Sequence, residues 1–164
     1  IDEAREATKY GVDFNEPKID LEKIRGFKDG VVKKLTTGLK MLAKQRGVSV
    51  VHGEGKFVSD KQIKVITSEG EQIIDFAHAI IAAGSAPFKL PFLPDDQRII
   101  DSTGALALQD TKGSMLILGG GIIGLEMATA YSALGANVTV VDLSPGLIPG
   151  AHRDLIRTLD RALK

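Results

Sequence analysis

Gly119-Gly120-Gly121-Ile122-Ile123-Gly124 has the spacing G-x-G-x-x-G, and an acid, Asp142, follows about 20 residues on. The bare pattern is weak in a glycine-rich chain, so its context decides. Apolar Met115 to Leu118 precedes it as a buried strand. The residues from Ile122 to Leu134 read as a helix closed by Gly135. Val138 to Val141 then reads as a second buried strand with Asp142 at its end. In that setting each residue has a task. Gly119 allows a tight turn, Gly121 lets a pyrophosphate approach the backbone, and Gly124 lets the helix pack close to the strand. The free N–H groups at the helix start face the phosphates, aided by the helix dipole. Asp142 can accept both hydroxyls of an adenosine ribose and would repel a 2′-phosphate. No Arg or Lys follows it until Arg153, which favours NAD over NADP. Two alternatives stay open: a turn that is glycine-rich only for packing, or a different adenosine ligand.

Other candidate groups are few. Glu126 interrupts an otherwise apolar helix start, and from pattern alone it reads as a charge favouring the helix dipole. His52, His78 and His152 have neither metal-ligand spacing nor a serine arrangement, and read as surface or strand-end residues. There is no cysteine, which excludes a disulfide scaffold, a thiolate metal site and a cysteine nucleophile within these residues. No metal site is expected.

The elements that must carry the turn follow from periodicity. Residues 1–9 read as the end of a helix stopped by Gly11, and Glu16-Pro17-Lys18 as a turn. Asp20 caps a long helix with apolar residues at Leu21, Ile24, Phe27, Val31, Leu35, Leu39 and Leu42, ending at Gly47. Strands are expected at Val48 to Val51, Lys56 to Val58, Lys64 to Thr67, Gln72 to Phe76 and Ala79 to Ala82. Pro87, Pro91 and Pro94 mark a crossing between domains. Asp101 or Ser102 starts a short helix to Leu108, and Ala151 to Lys164 is the last helix. Strand-helix-strand-helix implies a parallel sheet, so the fold class is α/β.

Composition sets outer limits. The 164 residues carry 21 Lys+Arg and 21 Asp+Glu, a balance that offers neither a nucleic-acid footprint nor a polybasic membrane patch. Between residues 19 and 46 cations outnumber acids, which reads as a solvated helix face. The longest apolar run, Met115 to Leu125, is far short of the ~20 residues a membrane span needs. Glycine is the one excess, 18 of 164, about 11% against a usual ~7%.

Several stretches, in order and spacing, resemble the flavoprotein disulfide reductases. They are Gly53-Glu54-Gly55-Lys56-Phe57, Ile80 to Ser85, Leu90 to Pro94, Asp101 to Leu106 and Gly119 to Met127. Within that family they look closest to the branch that oxidises dihydrolipoyl groups. The resemblance implies a partial FAD-binding domain at 1–86 and a partial Rossmann-type NAD-binding domain at 87–164. It implies FAD contacts at the Gly55 backbone and at the Ala83-Gly84-Ser85 turn, where many relatives have Thr in place of Ala83. It implies NAD contacts at Gly119 through Glu126, with Asp142 replacing a family Glu. Glu126 is similar to the acid that pairs with a lysine beside the flavin, which raises it above the dipole reading.

The resemblance further implies an internal fragment, inactive alone. The family's first FAD fingerprint, redox cysteine pair and flavin-side lysine would precede Ile1, and its His-Glu acid-base pair would follow Lys164. The whole protein is expected to be a cytoplasmic homodimer whose partner is the dihydrolipoyl domain of a 2-oxo-acid dehydrogenase complex. Related flavoproteins such as soluble transhydrogenase or mercuric reductase are alternatives. A non-catalytic, stand-alone dinucleotide-binding module is an alternative of another class.

Overall fold

The computed structural model describes residues 1–15 and 17–163. The expected turn at Glu16-Pro17-Lys18 therefore lies partly outside the described residues, as does Lys164. Contacts divide the chain into two compact units, residues 1–25 with 87–164 and residues 26–86. The division at residue 86 drawn from the sequence concerns cofactor domains, whereas these units concern contacts within the chain.

The chain opens with α1 (Asp2–Glu6) and a single 3-10 turn (Ala7–Tyr10), stopped by Gly11 at φ 84°. Helix α2 (Leu21–Gln45) begins where Asp20 accepts from the Lys23 N–H at 3.1 Å. It ends in a Schellman turn. Gly47 has φ 66°, its N–H bonds to the Lys44 carbonyl, and the Val48 N–H bonds to the Ala43 carbonyl at 2.9 Å. Of its apolar stripe, Phe27, Val31, Leu35, Leu39 and Leu42 are exposed.

Within residues 26–86 the sheet is an antiparallel meander of β1 (Glu54–Phe57), β2 (Gln62–Thr67) and β3 (Gly70–Asp75). The β2–β3 hairpin turns at Ser68-Glu69. Thr67 pairs with Gly70, whose φ of 130° suits a residue without a side chain. Val65 is the buried residue of β2, and the Phe57 and Phe76 rings meet edge to face at 5.8 Å. Gly53 is fixed by contact: a Cβ there would stand 2.3 Å from the Ile66 carbonyl oxygen.

Two expected strands are absent. Val48 to Val51 and Ala79 to Ala82 lie outside any strand, and Ile80 and Ile81 are 95% and 77% exposed. Their β-branched composition suits a doubly covered parallel strand, but such a strand also needs a neighbour to take its N–H and C=O groups. Among the described residues no strand lies beside either segment.

In the other unit, Asp101 caps α3 (Ser102–Leu106) by accepting from the Gly104 N–H at 2.9 Å. This helix stops two residues before the expected Leu108, which adopts φ 50°. Strand β4 (Ser114–Leu118), helix α4 (Ile122–Ala133) and parallel strand β5 (Asn137–Val141) form the βαβ unit, in register Met115 with Val138 through Leu118 with Val141. Leu125, Ala128 and Tyr131 recur every third residue on one face of α4 and are buried. Tyr131 packs with Ala105 and Ala136, joined by Met115, Met127 and Val138. Its hydroxyl donates to the Ala105 carbonyl at 2.8 Å and so ties α3 to α4. A second Schellman turn at Gly135, φ 104°, aims the chain into β5. Helix α5 (Arg153–Ala162) starts two residues later than the sequence reading, with His152 as its N-cap. Among the described residues no helix is long and apolar enough to cross a membrane.

Candidate functional site

The glycine-rich turn sits at the carboxyl end of the parallel pair. The Gly119 N–H donates to the Val141 carbonyl at 2.8 Å, which extends the β4–β5 ladder by one residue. Gly119 then takes φ 116°, a left-handed value that reverses the chain toward the helix. Gly121 is the N-cap of α4 in an extended conformation, and nothing lies within 4 Å of where its Cβ would be. Gly124 is the opposite case. A Cβ there would stand 2.1 Å from the Gly119 carbonyl oxygen and 3.4 Å from Ile117 Cγ2. Helix and strand approach this closely only because residue 124 has no side chain.

The open space at Gly121 is a place where an anion can reach backbone. The first turn of α4 leaves the amides of Ile122, Ile123 and Gly124 without intrahelical partners, and the dipole adds positive character. The turn contains no acid to compete for them. Ile122 and Ile123 are exposed. Leu125 is turned into the core at 5% exposure, and its N–H is spent on the Gly121 carbonyl at 3.0 Å.

Asp142 is half-buried and held from two sides. Its Oδ2 accepts from the Gly120 N–H at 2.6 Å, and its Oδ1 accepts from the Ser144 N–H at 2.6 Å. These bonds stabilise the ionised form. The amide of Ser144 first, then that of Gly120, holds the carboxyl below the usual aspartate range. A carboxylate offers about four lone-pair sites. The two amides leave one on each oxygen, which matches the two hydroxyls of a ribose. The glycine turn, the helix start and the acid therefore fit a dinucleotide.

Glu126 lies in the second turn of α4 and is exposed, beyond the first turn where the dipole acts. Among the described residues no hydrogen bond or ion pair engages it, so helix capping does not account for it. Gly55 lies in β1 opposite Val65, and Ala83, Gly84 and Ser85 lie in a segment outside any helix or strand where Gly84 has φ 73°. All four are exposed and open to a ligand that uses backbone contacts. His52 and His78 are exposed, and the His152 Nδ1 accepts from the Asp154 N–H at 3.4 Å.

Three residues of this site escaped the sequence reading. Ser144 had a signal, because Asp-x-Ser closes readily into a turn in which the carboxylate takes the amide two residues on. Leu147 and Ile148 had none. They reach the glycine turn only because the loop after β5 folds back on it.

A family model described as pyridine nucleotide-disulphide oxidoreductase matches residues 3–164. The chain is 48% identical over 165 positions to a dihydrolipoyl dehydrogenase of Vibrio cholerae, covering 100% of this chain and 35% of that protein. It is 47% identical over 158 positions to one from Haemophilus influenzae, covering 95% and 33%. Among solved structures it is similar to the Cu(II) complex of the HOCl-induced flavoprotein disulfide reductase RclA from Escherichia coli. That likeness has a TM-score of 0.75 and 26% identity, and covers 98% of this chain and 35% of the other. The chain thus spans about a third of the length of the curated relatives it matches. The expectation of an α/β fold, part FAD-binding domain and part Rossmann-type NAD-binding domain, agrees with the family and the structural likeness. The chain belongs to the pyridine nucleotide-disulphide oxidoreductase family.

Proposed function

We propose that this chain is the cofactor-holding part of a dihydrolipoyl dehydrogenase. The whole protein would oxidise a protein-bound dihydrolipoyl dithiol to the disulfide and deliver the two electrons, through a protein disulfide and FAD, to NAD. The observation that carries the reading is the glycine turn itself. Gly124 is packed against Gly119, Gly121 is open, and Asp142 is anchored beside Gly120 with one acceptor site left on each oxygen. The similarity to dihydrolipoyl dehydrogenases along all 164 residues supports the choice of substrate class.

The residues divide by task. Gly119, Gly120 and Gly121 shape the turn, and the helix start at Ile122, Ile123 and Gly124 offers amides to the NAD pyrophosphate. Leu125 seats the helix. Asp142 takes the adenosine ribose and disfavours a 2′-phosphate. Gly55, Ala83, Gly84 and Ser85 present backbone to FAD. Glu126 would pair with a lysine beside the flavin; its exposure, with no partner among the described residues, supports that role. FAD, when bound, supplies a two-electron carrier between thiol and nicotinamide chemistry. The thiols come from outside these residues, which contain no cysteine. The proposed setting is a cytoplasmic homodimer that receives the dihydrolipoyl domain of a 2-oxo-acid dehydrogenase complex.

The test is NAD reduction by dihydrolipoamide with the purified full-length gene product, with NADP in parallel. Reduction of NAD well above NADP is expected. A flavoprotein that moves hydride between the two nicotinamide cofactors with no dithiol would replace this reading with a transhydrogenase. The 164 residues alone are expected to show no dithiol activity.

A further inference from the structure

The loop joining β5 to α5 folds back over the glycine turn. The Ile148 N–H donates to the Gly120 carbonyl at 2.9 Å, while the Gly120 N–H is already held by Asp142 at 2.6 Å. Leu147 Cδ2 lies 3.1 Å from where a Cβ on Gly120 would stand. Gly120 is thus gripped at both of its polar groups and covered on its open side. The grip requires an unusual backbone. Ile148 has φ 45°, a left-handed value that a β-branched residue rarely adopts. Such a conformation persists where its surroundings over-determine it, and it clusters at functional sites. The surroundings are visible here. The Ala151 N–H bonds back to the Ile148 carbonyl at 3.2 Å, and Gly150 follows at φ 97°. Upstream, the guanidinium of Arg153 rests on Gly146, where a Cβ would come within 2.5 Å of Nη1.

We propose that Leu147 and Ile148 form a latch that closes the β5–α5 loop on Gly120, and that Ile148 is a positioning residue for Asp142. This rests on the dinucleotide reading of the site and deepens it. The Gly120 carbonyl lies in the Gly120–Gly121 peptide and its N–H in the Gly119–Gly120 peptide; holding the first narrows the φ and ψ open to Gly120 and so steadies the second, whose N–H anchors Asp142 Oδ2. The second anchor, the Ser144 N–H, belongs to the same loop. The latch therefore sets the direction of the two acceptor sites left to the ribose hydroxyls. It also leaves no polar group of Gly120 for the pyrophosphate, which is confined to the amides at the start of α4. A ligand with a complete ribose gains from the latch, and one lacking the 2′-hydroxyl gains little.

The experiment compares ADP with 2′-deoxy-ADP by calorimetric titration of the full-length, flavin-loaded gene product, wild type against Ile148→Gly and Leu147→Ala. Glycine accepts the left-handed conformation without holding it, and Leu147→Ala removes the cover without touching the backbone. Wild type is expected to prefer ADP about tenfold, the scale of a hydrogen bond made and lost. Both variants are expected to weaken ADP about tenfold and 2′-deoxy-ADP less than twofold, so the preference collapses. Equal weakening of both nucleotides would make the loop merely structural and overturn the latch, as would no weakening of either. Failure of wild type to bind ADP, or equal binding of the two nucleotides, would overturn the dinucleotide reading of Asp142 and the latch with it.

Discussion

Replacing Gly124 by alanine puts a methyl carbon 2.1 Å from the Gly119 carbonyl oxygen, against an ordinary contact of about 3.4 Å or more. The obstacle is backbone, and Gly119 is pinned by its own bond to the Val141 carbonyl at 2.8 Å. Relief therefore requires moving α4 off β4 by about 1 Å. Overpacking of this kind costs about 1–3 kcal/mol, and an immovable neighbour places it near the upper end. Alanine in place of glycine in a helix returns up to about 1 kcal/mol. The net is about 2 kcal/mol against the βαβ unit, or roughly a thirtyfold loss of amide protection. Hydrogen exchange followed by mass spectrometry on peptides from β4 through β5 reads this locally in the full-length product. The control is Gly121→Ala, where nothing lies within 4 Å. There the cost is confined to the weaker N-cap, about 1 kcal/mol at most. ADP binding should fall in both variants, because Gly121→Ala fills the open space at the helix start. A Gly124→Ala protein with wild-type protection and wild-type binding would refute the close approach of helix and strand. So would a Gly121→Ala protein that loses as much protection as Gly124→Ala.

Further expectations follow from particular contacts. Asp142→Asn should weaken ADP binding at neutral pH. Because its two amides depress the folded-state pKa of Asp142, the wild-type contribution is present above the ordinary aspartate range and is lost as pH falls through that depressed value. An acid titration of hydrogen exchange in the β5–α5 loop should show this limb in wild type and lack it in the Asn variant. Tyr131→Phe should cost about 0.5–1.5 kcal/mol by removing one of the hydrogen bonds to the Ala105 carbonyl, which keeps the Leu108 N–H at 3.2 Å. Burial, then the charge of Asp110, raises the Tyr131 pKa. Its contribution is therefore complete below the ordinary tyrosine value and lost as pH rises through the folded one. Alkaline denaturation should have a step in wild type that the Phe variant lacks. Gly53→Ala should destabilise the meander by about 1–3 kcal/mol, because its Cβ would meet the Ile66 carbonyl at 2.3 Å and Val65 Cγ1 at 2.8 Å. A urea midpoint matching wild type would show that β2 can give way.

The sequence is most legible where the needed information is local. Helix α2 is marked by a three-and-four apolar stripe, by Asp20 at its start and by Gly47 past its end. All of these act within a few residues, and each is found in place. The β2–β3 hairpin carries its turn chemistry at Ser68 to Gly70, and the βαβ unit carries its glycines and its acid. Illegibility begins where a partner is required. Val48 to Val51 and Ala79 to Ala82 have the composition of buried strands, but a strand is defined by its neighbours' amides and carbonyls. Composition cannot supply those. The loop after β5 fails differently. Ten residues separate Asp142 from Arg153, so a reading by distance along the chain places that guanidinium away from the acid's surroundings. A fold-back at Ile148, in a conformation its residue type disfavours, returns it to Gly146. Local propensity argues against that conformation, and the bonds from Ile148 to Gly120 and from Ala151 back to Ile148 account for it. A sequence that accepts strain at one position while every neighbouring turn follows its preferences marks that position as one held by its contacts. The same contacts aim Asp142, so the least legible residue of the loop is tied directly to the most legible acid of the site.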